Sequence, residues 1–206
     1  MQLVLVCGPW SSGTTVVAGM LERLGLRGLP PYFVTSDPRT PNSYESMEFR
    51  RLIGELVDES TLQTRVEATL AQQRLLEFRG HLEQQAGDAA APLFLKYPPA
   101  ALLIPGICRV FATRLVYVLR PMQAIEATRE RRSWQPHLGA AGAQVLYSAM
   151  FQVLVDHEFP THVVRYAELL RDPVAHAGRL ARFCGRPADA QLIAEAAAFV
   201  RTRPGP

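Results

Sequence analysis

The sequence predicts an α/β fold with a doubly wound, mainly parallel sheet, and three observations lead to this prediction. A continuous apolar run from Leu3 to Cys7 suits a central strand that is buried on both faces. This run leads through a glycine-containing loop into a helical pattern. Further strand patterns then alternate with helical patterns along the chain, as they do in parallel sheets covered by helices on both faces.

Length and composition indicate one globular domain over residues 1–206. The chain has 206 residues, of which 48% are hydrophobic and 20% charged, and this balance is typical of soluble globular proteins. A net charge of +3 is too small to predict a nucleic-acid surface. The widely spaced Cys7, Cys108 and Cys184 predict neither a disulfide framework nor a zinc site. No segment looks able to cross a bilayer and no leader peptide is apparent, so we expect a cytoplasmic protein.

The first half of the chain contains one strand, one helix and a helical insertion. Apolar residues from Val16 to Leu24 recur at helical spacing, and Gly25 can end that helix. The proline-rich stretch 28–43 predicts a long loop, a candidate wall for a substrate site. Helical patterns then cover about 43–58 and 60–85, the second opened by a capping box of Ser60 and Gln63. They predict a helical insertion over about 43–86.

The second half of the chain predicts three more strands and four helices. The strands cover 92–97, 114–119 and 161–165. The helices run to about 132, from about 139 to 156, from 173 to about 184, and from about 187 onward. Asp172 and Pro173 supply an N-cap and a first-turn proline for the third of these helices.

The segment Gly8–Thr15, which reads GPWSSGTT, is the strongest functional signal. Glycines let backbone amides cradle phosphate oxygens, and the start of a helix favours negative charge. An ATP-type loop would read G-x-x-x-x-G-K-[ST], but Thr14 occupies the position of that lysine. The pattern therefore disfavours a plain kinase and predicts hydroxyl contacts to a phosphate. A glycine and serine turn with no ligand is the alternative.

Basic residues follow three of the predicted strands, at the sheet edge where open α/β proteins bind ligands. They are Lys96, Arg120 and Arg165. Metal-dependent nucleotide enzymes usually place an aspartate at such a position to hold magnesium. Cations there instead favour direct neutralisation of phosphate or sulfate. For any one of them, a surface cation at a strand end remains an alternative.

These residues resemble the sulfotransferases that use 3′-phosphoadenosine 5′-phosphosulfate, which have a P-loop-like fold and bacterial members. Ser12–Thr15 is similar to their 5′-phosphosulfate loop. Val116–Arg120 with Thr128 resembles their 3′-phosphate signature, in which a strand-end arginine and a helix serine hold that phosphate. Tyr166–Pro173 and Arg182–Gly185 resemble their later Tyr-Glu-Asp-Leu, Asp-Pro and Phe-Leu-Gly patterns, which are mainly structural.

The chain also departs from the family pattern at several positions. Ser11 stands where the family usually has a lysine or arginine that contacts the leaving phosphate, so we expect Lys96 to supply that charge. Pro98 stands where cytosolic members have a catalytic histidine. The segment 37–45 resembles one that carries a catalytic glutamate, and it makes Glu45 the candidate base with Glu48 in reserve. Glu45 could equally be an acid in the first turn of a helix.

The resemblance implies transfer of a sulfuryl group from that nucleotide, without a metal, to a hydroxyl or amine of a small-molecule, carbohydrate or lipid acceptor. The catalytic candidates are Glu45 and Lys96, and the candidates for binding the nucleotide are Ser11, Ser12, Gly13, Thr14, Thr15, Arg120 and Thr128. Two alternatives stay open: a metal-dependent phosphotransferase with a degenerate loop, and a catalytically impaired relative that binds a nucleotide or a partner.

Overall fold

The computed structural model of the protein describes residues 1–35, 42–86, 91–187 and 189–201. Short strands and helices follow the first βα unit. In chain order, the elements up to residue 86 are β1 (Gln2–Cys7), α1 (Thr14–Arg23), β2 (Tyr32–Val34), β3 (Asn42–Ser46), α2 (Met47–Leu56), β4 (Val57–Asp58), β5 (Gln63–Thr64) and α3 (Ala68–Ala86).

The remaining elements complete the alternation of strands and helices. They are β6 (Leu93–Lys96), a 3₁₀ helix (Pro98–Leu103), α4 (Ile104–Val110), β7 (Ala112–Leu119), α5 (Met122–Arg131), a 3₁₀ turn (Pro136–Leu138), α6 (Ala140–Asp156), β8 (Thr161–Arg165), α7 (Tyr166–Arg171), α8 (Pro173–Phe183) and α9 (Ala190–Arg201). Asp172 caps α8 as predicted, because its side chain accepts a hydrogen bond of 3.0 Å from the Ala175 amide.

The central sheet contains four parallel strands in the order β6-β1-β7-β8. This arrangement confirms the predicted α/β fold with a mainly parallel sheet. In its register Val6 lies beside Lys96, Cys7 beside Tyr117, and Leu119 beside Arg165. The carboxyl ends of all four strands therefore meet at one edge, where the loop after β1 also begins.

Helices cover both faces of the sheet, which explains why β1 is apolar from Leu3 to Cys7. Leu3 and Leu5 point into a core formed with α2, α3, α4 and α6. Val4 and Val6 point into a second core formed with α1, α8 and α9. Because both faces are buried, each side chain of such a strand contributes apolar burial of about 1.5–3 kcal/mol. Among the described residues, none of the helices is both long and apolar enough to span a membrane.

The predicted boundaries within 28–86 are wrong in three places. Part of the stretch predicted as a loop forms the antiparallel pair of β2 and β3. The first insertion helix begins at Met47, not near Ser43, because Ser46 is the N-cap and accepts a hydrogen bond of 3.3 Å from the Phe49 amide. The second begins at Ala68, and the predicted capping box does not form. Ser60 instead donates to the Asp58 carboxylate in the turn between β4 and β5, which lowers the pKa of Asp58 to about 2.

Two histidines, the half-buried His162 and the buried His176, predict that the stability of the fold depends on pH. His162 on β8 and His176 on α8 each have a buried ring nitrogen without a hydrogen-bond partner. Burial lowers the pKa of both from the ordinary value of 6.5, and nearby positive charge at Arg179 lowers it further. The unfolded chain therefore binds more protons than the folded one as the pH falls below about 6.5.

We expect the free energy of unfolding to decrease as the pH falls from about 7 to about 5. Most carboxylates titrate below this interval, so they contribute little to the decrease. Chemical denaturation at a series of pH values measures this decrease. The double variant His162→Phe, His176→Leu removes both titrating rings and should flatten the curve in that interval. An equally steep curve for the variant would show that other groups cause the effect.

Candidate functional site

The loop between β1 and α1 has a backbone that depends on glycine. Gly13 has a φ of 103°, in the left-handed region that favours glycine. A Cβ atom at Gly13 would lie 2.2 Å from Cδ2 of Tyr166, because the tyrosine ring packs directly on this glycine. The loop thus follows directly from β1, and Tyr166, the first residue of α7, packs against it.

The polar groups of this loop are arranged to receive an anion. The hydroxyl oxygens of Ser11 and Ser12 are buried and have no hydrogen-bond partner in the part of the chain that the structure describes. Thr14, the first residue of α1, is also buried. The first amides of a helix lack partners inside the helix and carry its positive dipole end. These donors fit the phosphate oxygens that the sequence predicts as the ligand of this loop.

The contact between Gly13 and Tyr166 leads to a stability prediction. We expect Gly13→Ala to lower the free energy of unfolding by about 2–5 kcal/mol, because it combines a strained φ with overpacking against the ring. Gly80→Ala is the matched control: it lies within α3, and a Cβ there has no neighbour within 4 Å. That substitution should stabilise the protein by about 0.5–1 kcal/mol. Denaturant unfolding compares the two, and equal effects would refute the packing role of Gly13.

Arg120, directly after β7, connects the loop to α5. Its Nη1 donates to the carbonyl oxygen of Ser11 at 2.8 Å and lies 3.3 Å from Oγ1 of Thr128. The Thr128 hydroxyl in turn donates to the Ala124 carbonyl at 2.9 Å. The structure therefore places the predicted pair of Arg120 and Thr128 together, at the mouth of the loop.

Neighbouring side chains fix Arg120 without neutralising it. The Tyr147 hydroxyl accepts a hydrogen bond from the Arg120 amide at 2.9 Å and donates to its carbonyl at 3.1 Å. The guanidinium carbon lies 5.3 Å from the centre of the Tyr166 ring. Burial lowers the pKa of Arg120, but a guanidinium stays protonated. Because Arg120 has no carboxylate partner among residues 1–35, 42–86, 91–187 and 189–201, its charge is available to an anionic ligand.

Lys96, at the end of β6, supplies a second cation on the other side of the loop. Its Nζ lies 3.2 Å from Oγ1 of Thr15, 3.0 Å from the carbonyl oxygen of Ser43 and 2.7 Å from Oε1 of Glu45. The residue is only 3% exposed. Lys96 thus reaches the end of the loop, although Ser11 stands where a basic residue was expected within it.

Glu45 lies next to Lys96 and is also buried. One carboxylate oxygen, Oε1, contacts Lys96, and the other, Oε2, contacts the guanidinium of Arg50. The Glu45 amide donates to the Ser43 hydroxyl at 3.1 Å, which fixes the backbone before α2. Glu45 belongs to β3, so it is not the first-turn helix acid that was its alternative.

The reserve candidate, Glu48, does not join this group. Its carboxylate lies 3.3 Å from Nε2 of His81 on α3. Arg165, the third strand-end cation, lines a neighbouring cleft that Arg120 and Tyr166 also line. The first part of the segment 37–45 that suggested the base, residues 37–41, lies outside the described residues.

A cleft of about 560 Å³ opens beside Arg120, between β7, β8, α6 and α7. Most of its walls are apolar or aromatic, and Tyr147 and Tyr166 line it together with Arg120. The cleft lies on the side of the loop opposite to Lys96 and Glu45. It provides space for part of a ligand next to the Arg120 guanidinium.

Two features of this site were missed in the sequence. The role of Tyr166 in packing against Gly13 and Arg120 was not expected, because its motif was interpreted as structural. No sequence motif singles out Arg50. The available signal is a basic residue five positions after Glu45. The predicted helix start near residue 43 places Glu45 and Arg50 on one helix, whereas the structure places Glu45 on β3 and Arg50 on α2.

The parallel sheet, the glycine loop after β1 and the basic strand ends define an α/β protein of the P-loop-like class. The sequence profile of the sulfotransferase family matches residues 4–190 of the chain. The chain therefore belongs to the sulfotransferase family, and the resemblance predicted from its motifs is confirmed. No curated protein matches the chain at the sequence level.

Among the solved structures that resemble this chain, two illustrate the shared fold. Sulfotransferase STF9 from Mycobacterium avium has a TM-score of 0.56 and 15% identity, over 98% of this chain and 68% of that one. The sulfotransferase domain from the curacin biosynthetic pathway has a TM-score of 0.55 and 16% identity, over 92% of this chain and 75% of that one. At these identities the similarity shows the fold and leaves donor and acceptor open.

Proposed function

We propose that the protein transfers a sulfuryl group from 3′-phosphoadenosine 5′-phosphosulfate to a hydroxyl or amine of a small-molecule, carbohydrate or lipid acceptor. Membership of the sulfotransferase family supports the reaction class. When bound, this donor supplies the sulfuryl group, which passes to the acceptor by in-line displacement. The chain's own residues bind the donor, orient the acceptor and remove its proton.

In this proposal the residues Ser11–Thr15 bind the 5′-phosphosulfate through hydroxyl and amide groups. Arg120 and Thr128 bind the 3′-phosphate and so select this donor over ATP. The observation that carries the proposal is the position of Arg120, whose guanidinium bridges the loop at Ser11 and α5 at Thr128. One nucleotide could therefore contact both groups, and the cations take the place of a metal.

Glu45 is proposed as the general base and Lys96 as the group that stabilises charge on the leaving phosphate. A base must lie within hydrogen-bond reach of the acceptor proton. Lys96 touches both Glu45 and Thr15, so it connects the proposed base with the loop that would hold the donor. Its fixed positive charge is electrostatic preorganisation, which needs no covalent intermediate.

Incubation with donor labelled with ³⁵S and a panel of phenols, saccharides, amines and hydroxylated lipids tests this function. We expect label in at least one acceptor, and faster transfer from this donor than from adenosine 5′-phosphosulfate, which lacks the 3′-phosphate. Phosphoryl transfer from ATP with Mg²⁺, in the absence of sulfuryl transfer, would support the phosphotransferase instead. Tight binding of the donor without any transfer would support a catalytically impaired relative.

A further inference from the structure

The second carboxylate oxygen of Glu45 has its own cation, Arg50 on α2. Lys96 contacts Oε1 and the Arg50 guanidinium contacts Oε2, so the two cations approach the carboxylate from different elements. A carboxylate offers about four lone-pair positions, and these two contacts use one on each oxygen. Glu45 can therefore accept a further hydrogen bond, such as one from an acceptor hydroxyl, while both cations stay in place.

Arg50 is itself held in one position by three neighbours. Its guanidinium carbon lies 4.3 Å from the centre of the Phe33 ring and 4.5 Å from the centre of the Tyr97 ring. Its Nη2 lies 3.5 Å from the carboxylate of Glu59, which also accepts a hydrogen bond from the Tyr97 hydroxyl. A planar guanidinium between two rings and two carboxylates has little freedom to turn.

Lys96 and Arg50 differ in the groups that they contact besides Glu45. Lys96 also reaches Thr15 of the phosphate-binding loop, whereas Arg50 reaches Glu59 and the two rings. An anion bound at the loop would attract the Lys96 ammonium and so weaken its contact with Glu45. A buried carboxylate that loses its cation is strongly destabilised, and it then moves or takes up a proton.

We propose that Arg50 is the positioning residue for Glu45: its guanidinium holds the carboxylate in place while Lys96 contacts the donor. This inference rests on the proposed function, because it assigns Arg50 a role toward the proposed base. Arg50 does not touch the loop, so it should influence the proton-transfer step and leave donor binding unchanged. The acidic Glu59 and the rings of Phe33 and Tyr97 position Arg50 in turn.

Arg50→Gln tests the inference, with Arg51→Gln as the matched control. Arg51 is the next residue of α2 and is exposed. We expect Arg50→Gln to lower kcat by up to about 100-fold, the cost of a misplaced catalytic group. The dissociation constant of 3′,5′-bisphosphoadenosine, measured by calorimetry, should stay within about twofold of the wild type. Arg50→Lys, or added guanidinium with Arg50→Gln, should restore part of kcat, and Arg51→Gln should have no effect.

A crystal structure of Arg50→Gln with 3′,5′-bisphosphoadenosine gives a second readout that needs no acceptor. We expect the Glu45 carboxylate to leave the position that it keeps in the wild type and in Arg50→Lys. An unmoved Glu45, or an unchanged kcat in Arg50→Gln, would overturn the role of Arg50. If Glu45→Gln is fully active, the proposed base is wrong instead, so the two failures are distinguishable.

Discussion

Glu45→Gln should lower kcat for sulfuryl transfer by roughly 1,000-fold, within the range that a general base contributes. The amide has the size and shape of the carboxylate but cannot accept the acceptor's proton. It can still place its oxygen against Lys96, which lies 2.7 Å from Oε1 of Glu45. The amide NH2 then faces the Arg50 guanidinium and loses that contact, so a thermal denaturation of the variant must first show that it is folded. We expect the folded variant still to bind 3′,5′-bisphosphoadenosine.

Glu48→Gln is the matched control for this prediction. Glu48 is the other glutamate of the same segment, and its carboxylate faces His81 rather than Lys96. Steady-state kinetics should show a change of less than about twofold, because this half-buried carboxylate lies at His81 and outside the group formed by Glu45, Lys96 and Thr15. Near-normal kcat in Glu45→Gln would refute its role as base, and a large loss in Glu48→Gln would transfer that role to the reserve candidate.

Arg120→Ala should weaken binding of 3′,5′-bisphosphoadenosine by about 100-fold, because charge-assisted hydrogen bonds each contribute about 1.5–3 kcal/mol. The guanidinium also holds the Ser11 carbonyl, so some of the loss could come from the loop. Binding of AMP, which lacks the 3′-phosphate, separates the two contributions. Calorimetry should show that the wild type prefers the bisphosphate and that Arg120→Ala has lost most of this preference.

Arg165→Ala serves as the control for Arg120→Ala. It also removes a strand-end cation, but one whose side chain lines the cleft and makes no ion pair in the described part of the chain. Because Arg165 lines the cleft beside Arg120, the control compares the preference for the bisphosphate over AMP, which Arg165→Ala should leave as it is in the wild type. If Arg120→Ala keeps the wild-type preference for the bisphosphate over AMP, the 3′-phosphate binds elsewhere.

The parts of the fold that were predicted correctly depend on local sequence signals within single segments. The apolar run of β1, the strand 161–165 and the cap at Asp172 each have a local signature, and the structure reproduces them. The start of α2 had no such signature. Ser43 and Ser46 are both good N-cap residues, and only the pairing of β3 with β2 decides between them. Tertiary contacts of this kind are not readable from one sequence.

In the candidate site, too, residues with a local sequence signal could be predicted and residues that depend on tertiary contacts could not. Lys96 and Arg120 could be predicted because parallel strands end at one edge of the sheet, and the structure places both beside the loop. Their proposed roles, and the assignment of residues 1–206 to one domain, stay predictions. Arg50 could not be found in this way, since its contact with Glu45 depends on where β3 ends and α2 begins.

Calorimetric titration of the protein with 3′,5′-bisphosphoadenosine in EDTA, compared with ADP in Mg²⁺, tests the central claim most directly. That claim is that the loop of residues Ser11–Thr15 and the Arg120 guanidinium bind the two phosphorylated ends of one nucleotide without a metal. We predict tighter binding of the bisphosphate, with no gain when Mg²⁺ is added. Tighter binding of ADP with Mg²⁺, or a bisphosphate affinity that requires the metal, would contradict it.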